Sequence, residues 1–195
     1  MSKFSPALLA LALPLCAAAA PETYTIDPTH SYPHWEVNHF GVSNWRGRFD
    51  KTAGKFTLDR IEKTASVEIT VQTASVSSGD SDKGSRPRSL DDHLRTPDFF
   101  NVTEYPTMTF KSTSVKFNGD YPGTIEGNLT LLGVTKPLVL RVETWKCQPH
   151  PFNKKEMCGG NASGSFKRSD FGMKYAIPAV GDEIKLWIQI EGYKS

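Results

Sequence analysis

Histidines, cysteines and clustered charges are the side chains that do chemistry, and the chain gathers them in four places. His30 and His34 lie four apart with Asp27 just upstream. In an extended segment that spacing puts both imidazoles on one face, where they and the carboxylate could ligate a metal ion. Pro33 interrupts regular pairing there. The plainer role is hydrogen bonding to backbone or carboxylate groups at a strand end. Ser89, Asp92 and His93 offer the ingredients of nucleophilic catalysis. Neighbours on one helix point in different directions, however, so Asp92 and His93 make a poor relay pair. The stretch FKRSDFGMKY, residues 166–175, carries Arg168 and Asp170 at the same parity just before Gly172. The economical role is an ion-paired corner that ends a strand; the functional one is contact with a ligand head group. Cys147 and Cys158 flank a polar, Pro-containing connection. Phosphate loops, zinc-protease helices and nucleophile elbows do not occur in the sequence. No catalytic residue, cofactor or resident metal is therefore assigned.

The elements that must position these groups are strands. ASVEITVQTASV alternates Val67, Ile69 and Val71 against Glu68, Thr70 and Gln72. PTMTFKSTSVKF does the same with Met108 and Phe110, and GTIEGNLTLLG with Ile125, Leu129 and Leu131. KPLVLRVETW is more continuously apolar from Leu138 to Val142, and DEIKLWIQIEGY alternates Ile184, Leu186, Ile188 and Ile190 against Lys185, Trp187, Gln189 and Glu191. Such repeated period-two patterning means antiparallel strands with one dry face. Gly54, Asn118-Gly119, Pro122-Gly123, Gly133 and Gly181-Asp182 read as turns between them. Trp35, Val37 and His39 share a parity that points inward. One stretch is helical: Ser89 can cap LDDHL, with Asp91 and Asp92 at the favourable N-terminus. Thr96 can cap a second turn at Pro97. Leu94, Phe99 and Phe100 then plug against the sheet. Eight or nine strands with one short helical insertion imply an all-β fold, an eight-stranded antiparallel barrel closed to remove its edges.

A chain of 195 residues with 38% hydrophobic residues supports one domain with a packed core. A formal net charge of +2 lacks the basic face that nucleic acid requires. Residues 1–19 have a Lys3-bearing start, an apolar run and small residues through Ala17 and Ala19, the pattern of a signal peptide cleaved after Ala19 or within one residue of it. Leu15 before Cys16 argues against a lipid-modified cysteine. The mature domain, residues 20–195, is then exported, periplasmic or secreted, and retains Cys147 and Cys158. An even cysteine count in an exported chain predicts a disulfide between them.

FGVSNWRGRFDKTAGKFTLD, DDHLRTPDFFNVTEYPTMTFKST, GNLTLLGVTKPLVLRV and FKRSDFGMKYAIPAVGDEIKLWIQIEG resemble, in order, the signature stretches of the YceI-like family of exported bacterial proteins. The resemblance runs from about Tyr24 to Glu191. It implies a lipocalin-like barrel whose apolar tunnel binds a polyisoprenoid or other long-chain amphiphile, for transport, storage or sensing, and which carries no established enzymatic activity. The expected ligand-binding positions, assigned by alternation, are Trp35, Val37, Val67, Ile69, Val71, Met108, Phe110, Leu129, Leu131, Phe166, Leu186 and Ile188. His39 and Arg168 are the candidates for the polar head. The expected partner is the lipid itself, with transient membrane contact and no nucleic acid; nothing in the sequence fixes the oligomeric state. The rival class is a periplasmic metal-binding protein or enzyme using His30, His34 and Asp27.

Overall fold

The computed structural model describes residues 20–195; the expected signal peptide lies outside them. Strands dominate, as the alternation requires: β1 (Glu22–Ile26), β2 (Tyr32–His39), β3 (Ser43–Phe49), β4 (Thr52–Asp59), β5 (Thr64–Gln72), β6 (Val76–Ser77), β7 (Thr107–Asn118), β8 (Tyr121–Leu131), β9 (Val134–Pro149), β10 (Glu156–Lys167) and β11 (Val180–Lys194), with one α-helix among the described residues, α1 (Leu90–Leu94), and two single 3-10 turns.

Every pairing is antiparallel, and the ring β1-β4-β5-β7-β8-β9-β10-β11 closes where β11 meets β1. This is an eight-stranded barrel. β11 is long enough to serve two partners on one edge: Val180–Gln189 pairs with β2, and Gly192–Lys194 with β1. β1 and β2 thus lie end to end, as do β3 and β4 across Asp50 and Lys51. β6 adds two residues beside the end of β3.

Turn chemistry sets the hairpins. β8 and β9 are joined by Leu132 and Gly133, both left-handed at φ of 51° and 71°, as a two-residue turn matched to strand twist demands. Gly54 was expected in a turn but lies inside β4, because a Cβ there would come within 2.1 Å of the Glu68 carbonyl oxygen on β5. Pro122-Gly123 and Gly181-Asp182 also fall within strands, at irregular registers that absorb them.

The insertion between β6 and β7 covers one end of the barrel. Ser89 caps α1 as expected, accepting from the Asp92 amide at 3.1 Å. Asp91 is buried and accepts from the Ser78 amide and hydroxyl at 2.7 and 2.6 Å. Arg95 donates to the carbonyls of Ala74 and Val76. Thr96 departs from the expectation: its hydroxyl turns back to the His93 carbonyl instead of capping a second turn. The Phe100 ring meets Phe49 edge-on at 5.2 Å.

The opposite end carries a buried aromatic cluster. Tyr24 stacks on Phe56 at 4.8 Å, Phe56 meets Trp145 at 5.4 Å, and Leu58 and Cys158 complete the cluster. The Cys147–Cys158 disulfide joins directly opposed residues of β9 and β10 beside it.

Candidate functional site: an apolar chamber inside the barrel

Between the two ends the inward side chains do not fill the barrel. They leave a cavity of about 190 Å³. Its wall is a direct product of strand alternation. On β5, Val67, Ile69 and Val71 line it while Glu68 pairs outside with Lys111 at 2.8 Å. On β7 and β8, Met108, Phe110, Leu129 and Leu131 line it, and on β11, Leu186 and Ile188 do so with Trp187 half exposed outside. Trp35, Val37 and Phe166 border it as well. A glycine on the inner face makes room for the Phe110 ring: a Cβ on Gly127 would lie 2.5 Å from its Cζ.

Several wall residues lie outside the expected ligand positions. Ile184 and Ile190, which alternation puts on the same face as Leu186 and Ile188, border the cavity too, as do Leu138 and Leu140 of the continuously apolar β9 run. Phe56 and Trp145 were less legible. Trp145 has the wrong parity relative to Leu140, because β9 carries an extra residue where Asn161 faces Thr144 but Ala162 faces Val142. That bulge flips the inward set from even to odd numbers.

His39 does not border the cavity. It has the parity of Trp35 and Val37, but β3 loses its outer partner beyond Arg48, so the β2–β3 hairpin runs past the barrel rim. With no opposite wall there, His39 packs between Phe40 and Trp45, at 3.9 Å from each ring.

Arg168 does border the cavity and is 1% exposed. The expected ion pair with Asp170 is absent: Asp170 is exposed, and Arg168 instead donates to the carbonyls of Gly181, Val180 and Met173 at 2.8, 2.9 and 3.3 Å. Asp182, not Asp170, accepts from the Ser169 amide and hydroxyl at 2.9 and 2.8 Å. Burial pulls the Arg168 guanidinium below its ordinary range, opposed by the Asp182 charge. The group ties the β10–β11 connection to the start of β11.

The expected His30–His34–Asp27 set does not assemble. The turn at Asp27–His30 folds the His30 imidazole onto the Asp27 carboxylate at 2.7 Å, while Thr29 donates to the same carboxyl group. The nearby third group is Glu191, and His34 sits on β2 edge-on to Tyr32. Placing His30 in a turn and His34 on a strand removes the shared face that the spacing assumed. His30 is raised above the usual imidazole range by its bond to Asp27. His93 bonds Asp98 at 2.8 Å, and its ring packs against Phe99 and Tyr175, which makes it part of the covering segment.

Comparison with known proteins agrees with this architecture. The family model described as the YceI-like domain matches residues 24–192. A UPF0312 protein of Pseudomonas aeruginosa is 36% identical over 199 aligned positions, covering 100% of both chains. The crystal structure of a Campylobacter jejuni YceI protein superposes with a TM-score of 0.65 at 27% identity, covering 81% of this chain and 90% of that one. A polyisoprenoid-binding domain from Saccharophagus degradans shares the fold, with a TM-score of 0.63 at 14% identity over 88% of this chain and 98% of its own. This chain belongs to the YceI-like family.

Proposed function

We propose that the protein is an exported carrier that holds one long-chain lipid, a polyisoprenoid or comparable amphiphile, inside the barrel. The observation that carries this reading is the enclosed chamber with an almost wholly apolar wall. A hydrocarbon chain displacing water from such a space gains about 0.8 kcal/mol per buried CH₂. Affinity then accumulates along the tail with few polar contacts, as suits a carrier and not an enzyme. The polyisoprenoid-binding domain of Saccharophagus degradans, with the same fold, supports the ligand class. The N-terminal sequence pattern supports export to the periplasm, where a sparingly soluble lipid crossing water needs a carrier.

The test is solvent extraction and mass spectrometry of protein purified from its own host. About one long-chain lipid per chain is expected. Ala162→Phe, which pushes a ring into the chamber from β10 without burying a charge, is expected to lower that stoichiometry in protein of unchanged circular dichroism. Phe110→Asp is expected to abolish retention. Protein that carries no lipid and shows no saturable binding to prenyl and acyl lipids would remove this function.

A further inference from the structure

The tip of the β2–β3 hairpin holds an apolar side chain in water in a strained conformation. Phe40 and Gly41 are its central residues, both left-handed at φ of 58° and 71°, and the Val42 amide donates to the His39 carbonyl at 3.1 Å. Turns of this kind ordinarily place Asn, Asp or Gly first, because a bulky side chain is strained there. The β8–β9 turn carries the same strain at Leu132, but Leu132 is partly buried and packs against the barrel core. Phe40 is 61% exposed and Val42 87% exposed. Burial offsets the strain at Leu132 and not at Phe40, so the reason for a phenylalanine here lies outside the chain's own packing.

The tip belongs to a larger apolar rim. Trp45 is exposed beside it, with the His39 ring held between Phe40 and Trp45. The Phe40 amide donates to the Ala179 carbonyl at 2.8 Å, which ties the hairpin to the β10–β11 connection. Tyr175 on that connection is exposed in part and packs against His93 and Phe99 of the covering segment. The rim therefore stands at the covered end of the barrel and projects past its wall. Its charge is one-sided. Residues 38–48 contain Arg46 and Arg48 and no carboxylate, and residues 171–180 contain Lys174 and no carboxylate. The acids around it are already answered: Glu36 by Arg46, Asp50 by Arg48, Asp92 by Arg95, and Asp98 by Arg88 and His93.

A projecting aromatic tip with cations and no acid matches an anionic bilayer surface. The rings can enter the headgroup layer while the cations stay beside the phosphates, and no carboxylate has to be desolvated. We infer that the β2–β3 hairpin tip, with the β10–β11 connection beside it, docks the covered end of the barrel onto an anionic phospholipid bilayer. This inference rests on the carrier reading and adds where the carrier meets the membrane that gives or takes its lipid.

The experiment separates docking from carrying. Mature protein is mixed with vesicles of phosphatidylcholine plus phosphatidylglycerol, or of phosphatidylcholine alone, and the bound fraction is read by co-sedimentation. The anionic vesicles are expected to bind about fivefold more tightly, a preference that falls as salt screens it. Phe40→Asn gives the turn its ordinary residue, so the urea midpoint is expected to hold or rise while vesicle affinity falls about tenfold. Phe152→Ser removes an exposed ring from the β9–β10 hairpin at the opposite end and is expected to leave vesicle affinity within about twofold. In protein loaded with a fluorescent prenyl lipid, transfer to vesicles is expected to speed up with vesicle concentration. Phe40→Asn is expected to lose that dependence and to retain its lipid normally when no vesicles are present. Absent vesicle binding, equal binding by wild type and Phe40→Asn, or a loss confined to Phe152→Ser overturns the docking and leaves the carrier. Self-association that Phe40→Asn abolishes, without vesicle binding, assigns the tip to a second copy of the chain and overturns the docking equally. Protein that binds vesicles through Phe40 but takes up no prenyl lipid overturns the carrier and leaves the docking surface standing.

Discussion

The two ends of the barrel are closed by different physics. At one end, Tyr24 stacks on Phe56, Trp145 meets Phe56 edge-on, the Cys147–Cys158 disulfide clamps β9 to β10, and a charged cluster gathers around the Tyr24 hydroxyl. The Tyr24 hydroxyl lies 2.9 and 3.0 Å from the Glu22 and Glu156 carboxylates, which share its one proton, while Arg60 donates to both Tyr24 and Glu156 and Lys194 donates to Glu22. Closing a loop with a sequence separation of 11 adds stability of roughly 3 kcal/mol in the chain-entropy view. At the other end a single five-residue helix and the turns after it lie over the opening, held by side chains such as Ser89, Asp91 and Arg95 and not by a strand ladder. Segments without a ladder open at lower cost than the sheet they cover. Of the two, the covered end is the one expected to open to a ligand, and the sealed end is expected to be structural.

The largest effect tests the sealed end. Phe56→Ala removes a ring that is 3% exposed and wedged between two others, and is expected to cost about 4 kcal/mol, read from the shift of the urea midpoint. The matched change at the covered end, Phe100→Ala, removes a partly buried ring and is expected to cost about 2 kcal/mol or less. Equal losses would erase the contrast between the ends.

How far the sequence foretold this contrast depends on the kind of signal each residue carries. Val67, Ile69 and Val71 were legible because alternation is enforced by the strand itself. Ser89 was legible because a cap acts locally. Trp145 and His39 were not, since a bulge in one case and the end of the barrel wall in the other uncouple parity from burial, and neither leaves a local mark. The bond from Arg168 to the carbonyls of Val180 and Gly181 joins residues whose meeting only the fold decides. Thr52 was invisible for a different reason: a polar residue at the start of a strand reads as solvent-facing, yet the barrel closes over it.

A second, intermediate effect sharpens the comparison through pH. Hydrogen bonds from Lys194 and Tyr24 hold the Glu22 carboxyl below the usual range. The bond from Arg60, with help from Tyr24, does the same for Glu156 against a smaller opposing push from burial. A carboxylate whose folded pKa is depressed contributes stability above its unfolded value of about 4.3, and that contribution is lost as the pH falls through the folded value. The barrel is therefore expected to lose stability from about pH 4 downward, read as a falling urea midpoint, and Glu22→Gln with Glu156→Gln is expected to flatten that slope. An unchanged slope in the double variant would place the acid-sensitive groups elsewhere.

The smallest change in stability carries the most direct information about whether the covered end opens. The Ser89 hydroxyl is buried and satisfies the Asp92 amide at the start of α1, and removing such a cap costs about 1 kcal/mol. Because the covering segment is joined to the barrel by side chains, that loss falls on local opening and not on the unfolding of the whole sheet. Ser89→Ala is therefore expected to raise the open population, and with it the release rate of a fluorescent prenyl lipid, by about fivefold, while the urea midpoint barely moves. Ligand exchange measured by stopped flow separates the two ends. If Ser89→Ala leaves release unchanged and Phe56→Ala accelerates it, the lipid leaves past the aromatic stack, and the roles of the two ends are reversed.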